Sequence, residues 1–232
     1  MIKIEHVVLP SPEQMEAVIR GMRNPKNSWA HSDSHMTYVD DASVCAEAPH
    51  CFVVGDDDLT LMEKLASAGT DHRKYLRMMP VYMDITAPLY WWKEFDTYKV
   101  GTVANSCSTM HKIHDKEFTF DDFSYEKLTA RAKYALLITI NELNFWREVY
   151  NNGGLVVVRD EGRCVRYEPK DKGAWEQMIQ LLPSSFNQKR TVLVNYEVLR
   201  NMYGARKGHK LDEWREFCAR TEKLPYSELI TG

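Results

Sequence analysis

Residues 87–111 read APLYWWKEFDTYKVGTVANSCSTMH, and three patterns meet in them. Val81, Met83 and Ile85 alternate ahead of the stretch, which predicts a strand ending at Ala87-Pro88. Pro88 then opens a helix bearing Trp91, Trp92 and Phe95, because proline is tolerated in a first turn, where its missing N–H is not needed. Residues 101–109 read as extended, so Ser106 and Ser108, two apart, are expected to face one side together with Met110. A Ser-x-Ser face can hydrogen-bond a pyrimidine or a phosphate; it is equally a polar strand edge. Cys107, on the other side, has no histidine beside it in sequence and is read as a small buried residue rather than a nucleophile.

Working outward, Ile2, Ile4, Val7 and Leu9 predict an opening strand. Ser11-Pro12-Glu13-Gln14 supplies an N-cap serine, a first-turn proline and a capping-box glutamine for a helix to about Met22. Residues 24–50 lack periodicity and are expected to be loop. Cys51 to Val54 predicts a short strand, and Asp56-Asp57-Asp58 starts a helix through Leu65 that Gly69 ends. The strongest helical pattern runs from Ser124 to Tyr150, with a stripe of Leu128, Ala132, Ala135, Leu136, Thr139, Leu143 and Trp146. Leu137, Ile138 and Ile140 are apolar off that stripe, which places this helix centrally or at a subunit interface. Leu155–Val158 and Cys164–Tyr167 predict a hairpin turning at Asp160-Glu161-Gly162, inserted at 151–173. Helices are expected at Ala174–Leu182, Lys189–Tyr203 and Leu211–Arg220. The class is α+β, a mixed sheet with long helices, and 232 residues with 44% hydrophobic content can bury one domain.

A net charge of -3 argues against a general nucleic-acid or membrane-surface binder, although a local basic pocket is compatible with it. The five cysteines form no CxxC pair, which fits a reducing cytoplasm without a disulfide framework. Met1 leads into IKIEHVVL with no basic n-region or apolar h-region, and no apolar run approaches the ~20 residues that span a bilayer, so a soluble, cytoplasmic protein is expected. His31, His35, Cys45, His50 and Cys51 carry metal-binding atoms, but their spacings fit no zinc pattern, and no metal site is expected. Walker, G-x-G-x-x-G, G-x-S-x-G, HExxH and EF-hand motifs are absent from the sequence.

Two blocks resemble the flavin-dependent thymidylate synthases. The family signature is R-H-R-x-x-S-x-N-E-x-S-x-R-Y after an aromatic-bearing helix. Here Asn105 stands on its asparagine, Ser108 on its second serine, and residues 106–111 on its last half. In the second block Leu181-Leu182-Pro183 is similar to V-L-P, Asn195 precedes Arg206 by the family spacing, and residues 209–215, HKLDEWR, are similar to H-A-Q-x-E-I-R. The departures are chemical: Thr97-Tyr98-Lys99 replaces R-H-R, Ser106 replaces the glutamate, Met110 replaces the phosphate-gripping arginine, and Ile179-Gln180 stands where an arginine usually precedes V-L-P. A thioether cannot reproduce a bidentate guanidinium contact.

The resemblance implies a homotetramer that uses FAD, NADPH and methylenetetrahydrofolate to transfer a one-carbon unit to a deoxyuridine monophosphate-like nucleotide. It implies catalytic roles for Ser108 and Arg206, cofactor contacts from His72, Lys99, Asn195 and His209, and substrate contacts from Ser106, Ser108, Arg206 and Arg215. Tyr90, Trp91, Trp92, Tyr98 and His72 are candidate stacking surfaces. Arg73, Lys74, Arg77, Lys99, Arg200, Arg206, Lys207 and Arg215 are candidate phosphate partners. Core packing and solvated charge are the competing readings for any one of them. Glu213, four residues after His209, is placed to orient it. A relative that has lost the reaction and only binds or sequesters a nucleotide fits the departures, as does flavin chemistry on another pyrimidine nucleotide.

Overall fold

The computed structural model describes residues 1–38, 50–158 and 163–232. In chain order, strand β1 (Lys3–Val8) leads to helix α1 (Pro12–Arg23), and β2 (His35–Tyr38) and β3 (His50–Val53) precede α2 (Asp56–Ser67). Next come β4 (Pro80–Pro88), α3 (Leu89–Phe95), β5 (Val103–Ser106), the single-turn α4 (Thr109–Lys112) and the long α5 (Ala130–Asn152). β6 (Gly154–Val158), β7 (Arg163–Tyr167), α6 (Lys172–Leu181), β8 (Asn187–Asn195), α7 (Tyr196–Arg206), α8 (Asp212–Thr221) and α9 (Glu228–Thr231) complete it. The main sheet has the order β1-β4-β8-β5, and β2-β3 and β6-β7 form separate pairs.

The chain divides into two compact units. One comprises Met1–Lys3, Thr86–Glu94 and Ser106–Arg190; the other comprises Ile4–Ile85, Phe95–Asn105 and Thr191–Gly232. In the first, α5 and α6 pack around Leu136, Ile140, Leu143 and Met178, joined by Ile113, Phe118 and Phe123. In the second, α1 buries Met15, Val18, Ile19 and Met22, β4 buries Val81, Met83 and Ile85, and α8 buries Trp214 and Phe217.

Local chemistry accounts for several elements as expected. Ser11 caps α1, and the reciprocal Gln14 bond closes the capping box. Gly153 ends α5 at φ 74, where a Cβ would press within 2.8 Å of the Tyr167 carbonyl oxygen, so only glycine fits. β6 and β7 pair antiparallel from Gly154↔Tyr167 to Val158↔Arg163. The expected turn at Asp160-Glu161-Gly162 lies outside the described residues, as does Cys45.

Four expectations are corrected. His35–Tyr38, read as loop, is a strand that pairs with β3 from His35↔Val53 to Tyr38↔His50. Lys189–Asn195, read as the start of a helix, belongs to β8 (Asn187–Asn195), whose Val192 and Val194 are buried with the period of two that a strand requires. Residues 101–109 are not extended throughout, because β5 ends at Ser106 and α4 begins at Thr109. The buried stripe of α5 is Leu136, Ile140, Leu143 and Val149, so Ile140 belongs to the core, whereas Ala135 is exposed and Leu128 precedes the helix. Among the described residues no helix is long and apolar enough to cross a membrane.

Candidate functional site

In the first unit, the segment after β5 lines the main candidate. Ser108 caps α4, its Oγ accepting the His111 amide at 3.0 Å, and the hydroxyl keeps its own hydrogen to donate. The turn places Cys107, Ser108 and Thr109 along a cavity of about 390 Å³ whose wall includes Phe118 and Phe186. Lys112, Lys116 and Lys189 line it as well, against two acids, Asp115 and Asp122. Lys112 pairs with Asp115 at 3.1 Å and Lys116 pairs with Asp122. Cationic and acidic side chains thus meet on one wall of the cavity, beside the hydroxyls of Ser108 and Thr109. Gln188 steadies this wall. Its backbone oxygen accepts Trp92 Nε1 at 2.9 Å and its Nε2 donates to the Cys107 carbonyl at 3.0 Å.

Ser106 is exposed at the end of β5, and Met110 lies in α4, 48% exposed. The expected common face of Ser106, Ser108 and Met110 therefore does not form, because the strand gives way to a helical turn between them. Met110 is fixed through its backbone, its carbonyl accepting Trp175 Nε1 at 2.9 Å. Cys107 is exposed rather than buried.

In the second unit the C-terminal block gathers. Arg206 lies 4.9 Å from the Trp214 ring centroid and 5.7 Å from that of Tyr98, and its Nε donates to Tyr98 Oη at 3.0 Å. His209 Nδ1 accepts the Leu211 amide at 3.2 Å. Arg215 Nη1 donates to the His209 carbonyl at 2.7 Å, and its guanidinium also pairs with Asp212. Asn195 caps α7, accepting the Val198 amide at 3.0 Å. Its Nδ2 stands 2.9 Å from where a Cβ on Gly101 would lie, at φ 77, so that turn needs glycine. Lys99 is exposed beside Tyr98 and Thr102 on a cavity of about 270 Å³, and Thr102 Oγ1 is buried there without a hydrogen-bond partner. His72 is exposed in a turn.

Other candidate cations have structural duties. Arg73 and Arg77 both bind Glu197, and that hydrogen bond, reinforced by the charge, raises the Arg77 pKa. Arg200 donates to the Leu229 carbonyl at 2.8 Å, and burial pulls its pKa down. Burial pushes the Cys218 thiol up to about 11, which removes it as a nucleophile at neutral pH. Among the described residues no group of histidines, cysteines and carboxylates can hold a metal.

A flavin needs a flat apolar face and cations for its pyrophosphate. Trp91 and Trp92 are 0% and 1% exposed, so their rings are core rather than stacking surfaces. The Tyr98 hydroxyl and the Arg206 and Arg215 guanidiniums are engaged with neighbouring residues as described. Of these residues, Tyr98 and Lys99 line the small cavity beside Thr102. Sequence reasoning missed Lys112, Lys116, Phe118, Phe186 and Lys189. The reason at Lys189 is the strand misread as helix; Lys112 and Lys116 carry no motif of their own.

No family model matches the sequence, and no curated protein sequence does either. Solved structures do. Thymidylate Synthase X (ThyX) from Helicobacter pylori, with FAD and dUMP, matches at 14% identity and TM-score 0.59 over 99% of this chain and 95% of its own. A second structure, of flavin-dependent thymidylate synthase ThyX from Helicobacter pylori complexed with FAD and dUMP, matches at 13% identity and TM-score 0.59, over 99% and 96%. The mixed helix and sheet arrangement seen here is similar to the fold of these ThyX structures.

Proposed function

We propose that the chain binds a pyrimidine deoxynucleotide in the first unit's cavity, with one or more of Lys112, Lys116 and Lys189 meeting the phosphate in place of the arginine that Met110 replaces. The supporting observation is that cavity. Its volume of about 390 Å³ falls in the range of small-ligand pockets, and its wall combines aromatic surface, a donor hydroxyl and lysine side chains. In this reading Phe118 and Phe186 supply apolar surface for a base, Ser108 donates a hydrogen bond, and the lysines act as point charges rather than bidentate forks. The protein then binds or sequesters the nucleotide. The two interleaved units fold as a single domain in this reading, and the protein is cytoplasmic.

A second reading is favoured by the similarity to structures that hold FAD and dUMP, and by the unsatisfied Thr102 hydroxyl beside Lys99. It is the complete flavin-dependent one-carbon transfer with NADPH and methylenetetrahydrofolate, in a homotetramer. There Ser108 and Arg206 are catalytic, His72, Lys99, Asn195 and His209 touch the cofactor, and Ser106 and Arg215 touch the substrate. The visible absorption spectrum of the purified protein, before and after incubation with FAD and desalting, separates the two. Protein that stays colourless while binding dUMP supports the first reading. A retained flavin band supports the second.

A further inference from the structure

The second unit holds a cavity of about 200 Å³ that neither reading of the nucleotide site uses. Its lining is mostly apolar: Met83 of β4 and Phe217 of α8 are buried, and Ile4, Val7 and Leu224 join them. β1 contributes two side chains three residues apart, which a regular strand would turn to opposite faces. His6 between them lies at φ 49, in the left-handed region, and this break in the alternation lets both Ile4 and Val7 line the cavity. Val7 is 43% exposed, so the cavity opens to solvent beside it.

The charged lining has one sign. Arg220, in the last turn of α8, and Lys223, just beyond it, border the cavity, and no carboxylate among the described residues does. Both residues are exposed, and neither makes an ion pair among the described residues. A bare helix C-terminus would repel an anion, but the last carbonyls of α8 are occupied. That of Cys218 accepts the Glu222 amide and Thr221 Oγ1, that of Arg220 the Lys223 amide, and that of Thr221 the Leu224 amide. Apolar walls with two unpaired cations at the rim complement a ligand that has an apolar tail and an anionic head. A carboxylate is a compact head that a guanidinium can grip through both oxygens. The volume lies below the roughly 300 Å³ at which drug-sized pockets begin, so the tail is short. We propose that this cavity binds a short-chain aliphatic carboxylate, its chain against Met83 and Phe217 and its head between Arg220 and Lys223.

Calorimetric titration of octanoate into the full chain is the test, beside hexanoate, octanol and octylammonium, with circular dichroism confirming that each variant is folded. Octanoate is expected to saturate a single site at millimolar concentration or below. Hexanoate should bind about fifteenfold more weakly, since each buried methylene is worth about fourfold. Arg220→Gln and Lys223→Gln, at exposed positions, should each weaken octanoate about fivefold and leave octanol unchanged. Val7→Glu, which sets an anion beside the rim, should abolish octanoate binding. Saturating dUMP should leave it intact, because the nucleotide cavity belongs to the other unit. No saturation at millimolar octanoate would overturn the proposal. So would octanol or octylammonium binding as tightly as octanoate, folded glutamine variants of unchanged affinity, or competition by dUMP, which would move the ligand to the lysine-lined cavity. The inference stands or falls apart from nucleotide or flavin binding.

Discussion

The two blocks that resemble the flavin-dependent thymidylate synthases have different fates. The C-terminal block, Asn195 to Arg215, matches more of the family's letters, yet its functional groups are engaged with neighbouring residues. Arg206 lies against Trp214 and Tyr98, Arg215 ties down the His209 carbonyl, and Asn195 caps a helix. The block at 106–111 departs from that signature at Ser106 and Met110, and its Cys107, Ser108 and Thr109 line a cavity together with lysines that lie outside the block. Matching letters record the scaffold, whereas the open chemistry sits where the letters changed.

The largest effect should come from removing the platform beneath Arg206. Trp214 is fully buried between Phe95 and Phe217, so Trp214→Ala is expected to cost about 3–5 kcal/mol, read from urea unfolding. A loss below about 1 kcal/mol would mean the C-terminal block is not structural, and the contrast would collapse.

Next is Met110→Arg. The side chain is half exposed and its residue is held through the backbone, so the substitution should fold. A gain of about tenfold in dUMP affinity by calorimetry is expected, the worth of one charge-assisted contact. No gain would undermine the correspondence of Met110 with the family arginine. Arg206→Met should lower stability by about 1–2 kcal/mol through the lost ring contacts and Tyr98 bond, while leaving dUMP affinity unchanged. A matching loss of affinity would return Arg206 to the binding site.

The smallest effect concerns His114, on the segment after α4. Burial first, then the positive charge of Lys170, hold its pKa below the ordinary 6.5. The folded state therefore resists protonation that the unfolded chain accepts. Stability is full above 6.5 and declines as pH falls from there through the depressed value. His114→Asn should flatten that decline in a pH series of unfolding midpoints; an unchanged slope would assign it to other groups.

Much of the fold was legible because local chemistry and packing agree. The Ser11–Gln14 capping box, the alternation of Val81, Met83 and Ile85, and the glycine stop after α5 each point to one structure. Legibility failed where two signals compete. β8 opens with the polar run Asn187 to Thr191 and passes directly into α7, so Asn195 is both its last residue and the next helix's cap, and no loop marks the change. α5 is apolar on both sides, so periodicity alone could not choose which side faces the core. The aromatic helix was located correctly, but α3 spends Trp91 and Trp92 on the core. Composition cannot tell a stacking surface from a packed ring. The cavity was less legible still, since its lysines come from α4, the turn after it and β8, which only the fold brings together.

The most direct test of the central claim is a calorimetric titration of dUMP into flavin-free protein, wild type beside Lys112→Ala and Lys116→Ala. Saturable binding at one nucleotide per chain, weakened about tenfold by one or both substitutions, is the result this account requires. The contradictory result is no binding until FAD is added, or binding indifferent to both lysines.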